Sequence, residues 1–194
     1  MNNPTIRIIK TDILAKNWYT LKKISFDQFT ESKGWQRVER EAYDRGNGAA
    51  ILLYNIHQKT IILTRQFRIP TYINGNEDGM MIEVCAGLLD NLNPEECIRK
   101  ETEEETGYRI HDVTKVLEAY MSPGSVTEIL YLFIAPYEPK MKINEGGGLD
   151  EDHENIEVIE VHIDEALRMI EDHRIKDAKT IMLIYHAIVQ KLFQ

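Results

Sequence analysis

The chain is 194 residues long, 43% hydrophobic and 28% charged, with a formal net charge of −9. Those values suit a globular protein with one sizeable core and a small extra element, and the acidic balance argues against the basic face that nucleic-acid binding needs. Two cysteines, Cys85 and Cys97, are expected as buried thiols rather than a disulfide, the first residues carry no apolar signal core, and no apolar run approaches the roughly 18 residues of a membrane span. The expected setting is the cytoplasm, with no membrane partner.

In chain order, residues 5–10, 17–29 and 35–43 read as strands of an antiparallel N-terminal sheet, with a turn at Ser32-Lys33-Gly34. The aromatics there, Trp18, Tyr19, Trp35 and Tyr43, read first as packing residues, although a flat ring such as Trp18 also suits stacking on a purine. Asp44-Arg45-Gly46-Asn47-Gly48 punctuates the chain, so residues 1–44 are expected as a β-sheet subdomain and 45–194 as the main domain. Residues 49–54 and 61–66 are short apolar runs consistent with buried strands. Residues 70–79 read as loop, and Met80–Cys85 as a strand ending at Ala86-Gly87. Asn93 caps and Pro94 starts a helix that Gly107 stops. Residues 113–120 and 128–137 follow as strands bracketing a loop, and Gly146-Gly147-Gly148 opens an acidic loop running to Asn155. A strand at 156–163, a helix at 164–173, and a helix at 178–192 capped by Asp177 complete the chain. Strands on both sides of a central helix, with helices at the end, predict an α/β or α+β fold with a mixed sheet between helices.

The central helix carries Glu101, Glu103, Glu104 and Glu105. Residues four apart share a helix face, so Glu101 and Glu105 stand one above the other. Two like charges about 4 Å apart at a surface repel by about 1–4 kcal/mol. Acidic helix faces are more often simply solvated, but a retained repulsive pair invites a cation, and hard carboxylate oxygens suit Mg²⁺ or Mn²⁺. The acidic loop 146–155 offers Asp150, Glu151, Asp152 and Glu154. Arg65-Gln66-Phe67-Arg68 holds arginines that could fork onto a diphosphate or form surface ion pairs. Histidines such as His57, His111 and His162 lack ligand spacing, so a zinc site is not expected.

The segment from Gly87 to Gly107 resembles the Nudix box, Gly-x5-Glu-x7-Arg-Glu-x-x-Glu-Glu-x-Gly. Gly87, Glu101, Glu104, Glu105, Gly107 and Tyr108 match, Lys100 replaces the arginine, Asn93 takes the place of the first glutamate, and the spacing is one residue short. Asp44–Gly48, Arg65–Arg68, Asn74-Gly75-Asn76-Glu77, Ala86–Asn91, Tyr120–Gly124 and Gly146–Gly148 extend the likeness. Together they resemble the GDP-mannose pyrophosphatase branch of the Nudix hydrolases, in which the shortened box is usual. The resemblance implies an α/β/α sandwich with a mixed central sheet and an additional N-terminal antiparallel β-sheet.

It also implies Mg²⁺-dependent hydrolysis of GDP-mannose to GMP and mannose 1-phosphate, with Mn²⁺ as an alternative ion. By the same resemblance, Ala86 (through its carbonyl), Glu101, Glu105 and Glu154 would hold metal, and Glu154 or Glu105 would be catalytic. Arg68, Ala86, Gly87, Leu88, Glu105, Glu128, His153, Glu154 and Lys179 would bind substrate. A homodimer is implied in which N-terminal strands cross, so that Trp18, Glu39, Arg40 and Glu41 serve the other subunit's substrate. Counting back from the strand start at Ile156 favours Glu154 as the loop residue, whereas counting forward from the glycine triplet favours Asp152; Glu154 is placed ahead of both Glu151 and Asp152. ADP-ribose or other nucleotide sugars are alternative substrates. A catalytically idle nucleotide-sugar binder and a structural dimer scaffold are the competing readings from other classes.

Overall fold

The computed structural model describes residues 5–149 and 154–194. The chain forms two compact units, one made of residues up to Asn47 with Tyr120–Ile129, the other of Gly48–Ala119 with Leu130–Gln194.

The first unit is a three-stranded antiparallel sheet, β1 (Ile6–Lys16), β2 (Thr20–Thr30) and β3 (Gly34–Asp44). Here β1 runs six residues past the expected end at 10. Register shifts between Ile8 and Lys10 and between Ile13 and Ala15 interrupt the period-two alternation, which is why the sequence hides the strand's second half. Trp18 therefore sits in the turn before β2 rather than inside a strand, and is 86% exposed. Tyr19 instead packs edge-on against Tyr43, and Trp35 against Phe29 and the Arg7 guanidinium. The loop 121–127 joins this unit through Tyr43 N–H, which donates to the Ser125 carbonyl at 2.7 Å.

The second unit is built on a seven-stranded mixed sheet. Its main path runs β10 (Glu157–His162), β5 (Thr60–Phe67), β4 (Gly48–Asn55), β9 (Ile129–Pro136), β8 (Thr114–Tyr120). β4 pairs parallel to β9 and antiparallel to β5. Its run Gly-Ala-Ala-Ile-Leu-Leu is buried throughout, as a strand covered on both faces must be. On one face Ala49, Ile51, Leu53, Ile62 and Phe133 pack with Cys97 and Ile98 of helix α2 (Pro94–Thr106). The alternate residues, such as Ala50 and Leu52, turn to the other face, where α4 (Ala178–Val189) packs on β4 and α3 (Ile163–Glu171) on β10. This is the expected α/β/α sandwich.

Two local expectations change. Residues 69–73 form a short helix, α1, started by Pro70, where loop was expected. The strand expected over Met80–Cys85 is two strands, β6 (Met80–Glu83) and β7 (Cys85–Leu88). β4 and β5 pair at Leu53–Asn55 with Thr60–Ile62 and then diverge. β6 pairs with β5 and β7 with β4, so the chain fills the wedge between them and changes partner at Val84. That wedge positions the candidate site.

Candidate active site

Helix α2 begins where the sequence places it. The Asn93 side chain accepts from Glu96 N–H at 2.9 Å, and the Glu96 carboxylate accepts from Asn93 N–H, a reciprocal capping box. Gly107 ends the helix at φ +77°. The glycine triplet finishes the same job, since Gly147 N–H donates to the Glu105 carbonyl at 2.8 Å and Gly148 N–H to the Glu104 carbonyl at 3.1 Å. All three triplet glycines have positive φ. They satisfy the open carbonyls of the last turn and bring the acidic loop back to the helix, a role the sequence reading did not assign them.

The four glutamates of α2 separate into two kinds. Glu103 is held bidentately by Arg109, both bonds 2.9 Å, and Glu104 by Lys100 at 2.7 Å. Glu101 and Glu105 have no ion-pair partner among the described residues. Glu105 is 3% exposed. Burial, reinforced by the charges of Glu101 and Glu154, pushes its carboxyl up to about 8 even though the Cys85 thiol and the Ala86 N–H oppose the rise. Burial, with Glu104, Glu154 and Asp90 nearby, pushes Glu101 up to about 7 against the pull of Lys100. Two carboxyls driven toward protonation side by side are what an oxygen-loving cation would reverse.

Ala86 lies against this pair. Its N–H donates to Glu105 Oε2 at 3.3 Å rather than to β4. In an antiparallel ladder a residue's N–H and C=O point to the same side, so the Ala86 carbonyl also faces away from β4. Gly87 is not a turn glycine. It lies in β7 with ordinary φ, and a Cβ there would stand 2.2 Å from Glu101 Cδ. The missing side chain makes room for the Glu101 carboxylate. Two anionic carboxylates, a carbonyl and this cradle fit a hard divalent ion. Among the described residues no group of three or more His, Cys, Asp or Glu side chains forms a ready-made metal cluster.

Glu154 adds a further carboxylate. Its Oε2 accepts from Leu149 N–H at 3.2 Å, and a Cβ on Gly148 would meet that oxygen at 2.4 Å. Its charge reaches both Glu101 and Glu105. His153, with Asp150, Glu151 and Asp152, lies outside the described residues.

A basic pair borders the same region. Arg68 and Lys179 converge on Glu83, a residue the sequence reading missed. The available signal was a lone glutamate inside the apolar run Met80–Cys85. Arg68 also feels the charge of Glu105. Leu88 is half-buried in β7. Lys179 occupies the first turn of α4 beside its cap Asp177, whose Oδ2 accepts from Thr180 N–H at 2.9 Å.

The remaining candidates belong to the first unit. Glu39 accepts from Ser25 Oγ at 2.9 Å and pairs with Lys23 at 3.4 Å. Arg40 donates to the Glu39 carbonyl at 2.7 Å, and Glu41 is exposed on β3. Glu128, its side chain 11% exposed, stands 3.5 Å from Arg45 Nε.

Residues 44–184 match the family described as NUDIX domain, and residues 5–43 match the GDP-mannose pyrophosphatase NudK N-terminal domain. This chain belongs to the Nudix hydrolases. Within that family, a GDP-mannose pyrophosphatase of Pectobacterium atrosepticum is 53% identical over 193 residues, 100% of this chain and 98% of its own. One from Yersinia enterocolitica is 51% identical over 189 residues, covering 97% and 98%. A solved structure described as an ADP compounds hydrolase superposes with a TM-score of 0.72 at 18% identity, over 98% of this chain and 95% of that one. That likeness shows the Nudix fold alone. This chain is therefore an enzyme, a Nudix pyrophosphatase, of a family whose members generally use divalent metal ions, and no helix among the described residues is long and apolar enough to cross a membrane.

Proposed function

We propose that this Nudix hydrolase cleaves the diphosphate of GDP-mannose with water, giving GMP and mannose 1-phosphate, and that its ion is Mg²⁺. The observation that carries the reading is the separation of the α2 glutamates: Glu103 and Glu104 are neutralised by ion pairs, whereas the half-buried Glu101 and the buried Glu105 have no ion-pair partner among the described residues. The relatives' substrate and the match of residues 5–43 support the nucleotide sugar. Glu101, Glu105, the Ala86 carbonyl and Glu154 would hold the ion. When bound, it supplies neutralisation of phosphate charge and a more acidic water.

The chain's own groups do the rest. Arg68 holds a phosphate oxygen, with Lys179 adding positive charge beside it. Gly87 and Leu88 present backbone close to the substrate. Glu154 is the reading we favour for the proton acceptor from water, since its carboxylate is exposed and carried on a loop. Burial favours the protonated form of the Glu105 carboxyl, so Glu105 is suited to holding the cation that keeps it ionised rather than to taking the proton. Glu128 is assigned to the sugar, His153 to the substrate without a part of it specified, and Trp18, Glu39, Arg40 and Glu41 to the substrate of a second copy in a homodimer. Exposed Ile6, Ile8, Ile9, Ile13 and Leu14 along β1 support such an assembly. A reducing, cytoplasmic setting suits the two buried free thiols, Cys85 and Cys97.

The departures from the general box do not favour an idle binder. Lys100 makes the ion pair to Glu104, and Asn93 caps the helix, so neither removes a carboxylate of the pair. A panel of GDP-mannose, ADP-ribose and other nucleotide sugars with Mg²⁺, followed by chromatography of the products, tests the proposal. GMP and mannose 1-phosphate formed fastest from GDP-mannose support it. Tight binding without turnover across the panel would leave the binder reading in its place.

A further inference from the structure

Glu83 is a buried carboxylate with no part in the chemistry assigned so far. It ends β6, is 4% exposed, and divides its oxygens between two cations. Oε1 accepts from Arg68 Nε at 2.9 Å. Oε2 accepts from Arg68 Nη2 at 3.2 Å and from Lys179 Nζ at 2.5 Å. Lys179 also donates to Asp177 Oδ1 at 2.9 Å, and Asp177 Oδ2 accepts from Thr180 Oγ1 at 2.6 Å. Thr180 Oγ1 in turn accepts from Val84 N–H at 2.8 Å, the residue next to Glu83. The bonds thus close a ring joining the wedge strands to the start of α4, and its two carboxylates balance its two cations.

Exposure within the ring is graded. The Glu83 side chain is 5% exposed and Lys179 11%, but Arg68 is 41% exposed. Arg68 Nη1 has no hydrogen-bond partner among the described residues. A guanidinium has a fixed planar fork, so anchoring its Nε–Nη2 edge fixes the direction of the remaining donors. A free arginine would lose that rotamer freedom on meeting its ligand; an anchored one has lost it beforehand.

We propose that Glu83 is the positioning residue of the diphosphate site, holding one edge of Arg68 against Lys179 so that the free Nη1 donors are aimed at a phosphate oxygen. The assignment rests on the diphosphate reading above, and it separates Glu83 from an ordinary buried ion pair, in which both partners would be enclosed.

GDP carries the diphosphate without the sugar and is the probe. It is titrated calorimetrically in Mg²⁺ into the full-length wild-type protein, Glu83→Gln, Arg68→Ala and the double variant. Mn²⁺ binding is measured by electron paramagnetic resonance on the same preparations. Glu83→Gln is expected to weaken GDP binding at least tenfold, to leave Mn²⁺ affinity within twofold, and to add no loss once Arg68 is alanine. A structural pair alone would lower the melting temperature without moving GDP affinity, and that result overturns the proposal. Losses that multiply in the double variant overturn it as well. If Glu83→Gln does not fold, Glu83→Asp, which keeps the charge and shortens the reach, is held to the same criteria. Wild-type protein that cleaves no nucleotide sugar defeats the functional reading and this assignment together. Intact cleavage with an unmoved GDP affinity defeats the Glu83 assignment alone.

Discussion

Glycine at position 87 matters for what it leaves out. Its φ is ordinary, so alanine is tolerated by the backbone, but the new Cβ would fall 2.2 Å from Glu101 Cδ and 2.4 Å from Cγ. The flexible end of Glu101 must move, while the strand need not. Gly87→Ala is therefore expected to fold with a melting temperature near wild type and to bind Mn²⁺ at least tenfold more weakly in a calorimetric titration. Unchanged Mn²⁺ affinity would mean that the Glu101 carboxylate does not need that space. Glu101 and Glu105 were legible in the sequence because a spacing of four within one helix is a local signal. Glu83 was not, because its partners lie 15 and 96 residues away, and only the folded sheet brings them together. Gly87 was singled out only through the resemblance, as a substrate-binding residue, and the space it spares for the Glu101 side chain of the same protein was visible only in the fold.

Helix α2 depends on its ends. The capping box at Asn93 satisfies open N–H groups at one end, and Gly107 with the glycine triplet satisfies carbonyls at the other. Replacing Asn93 by alanine removes one cap, worth about 1 kcal/mol, which in a protein of this size lowers the melting temperature by roughly 2–4 °C. Turnover per folded molecule should stay at the wild-type level, since the cap lies at the far end from Glu105. A large loss of turnover with unchanged melting would show that Asn93 acts chemically. The helix was readable from Asn93-Pro94 and Gly107 because caps are sequence-local. The split of Met80–Leu88 into β6 and β7 was not, because a change of strand partner leaves no mark on the alternation of apolar residues. Bulges concealed the second half of β1 in the same way, since each extra residue reverses the pattern.

Over the whole molecule, the acidic pair couples metal, pH and stability. The folded-state values of Glu101 and Glu105 lie above the ordinary 4.5, at about 7 and about 8. A carboxyl raised on folding favours the folded state below its unfolded value, and that contribution is lost as pH climbs through the folded value. Metal-free protein should accordingly lose stability between about pH 4.5 and about pH 8, and Mg²⁺ should restore most of it at the upper end. Glu83 works in the opposite direction: burial alone would raise it, but Lys179 and Arg68 hold it down to about 2. Its contribution is present above the ordinary 4.5 and disappears as pH falls toward 2. Melting curves against pH with chelator and with Mg²⁺ check both limbs; identical curves with and without the ion would remove the pair from metal binding. Assembly is testable at the same level. Light scattering should give a dimer, and lysine at the exposed Ile8 and Ile13 should shift it toward monomer; a wild-type monomer at micromolar concentration would contradict the assembly.

Phosphorus NMR of GDP-mannose turnover against Mg²⁺ concentration, for wild type and Glu105→Gln, bears most directly on the acidic pair as the seat of the chemistry. The variant keeps the size of the buried side chain and removes only its charge, so its folding should be intact. The account predicts GMP and mannose 1-phosphate signals that appear with the ion in wild type and fall by about 10²-fold or more in the variant. Cleavage that proceeds without divalent metal, or at the wild-type rate in Glu105→Gln, would contradict it.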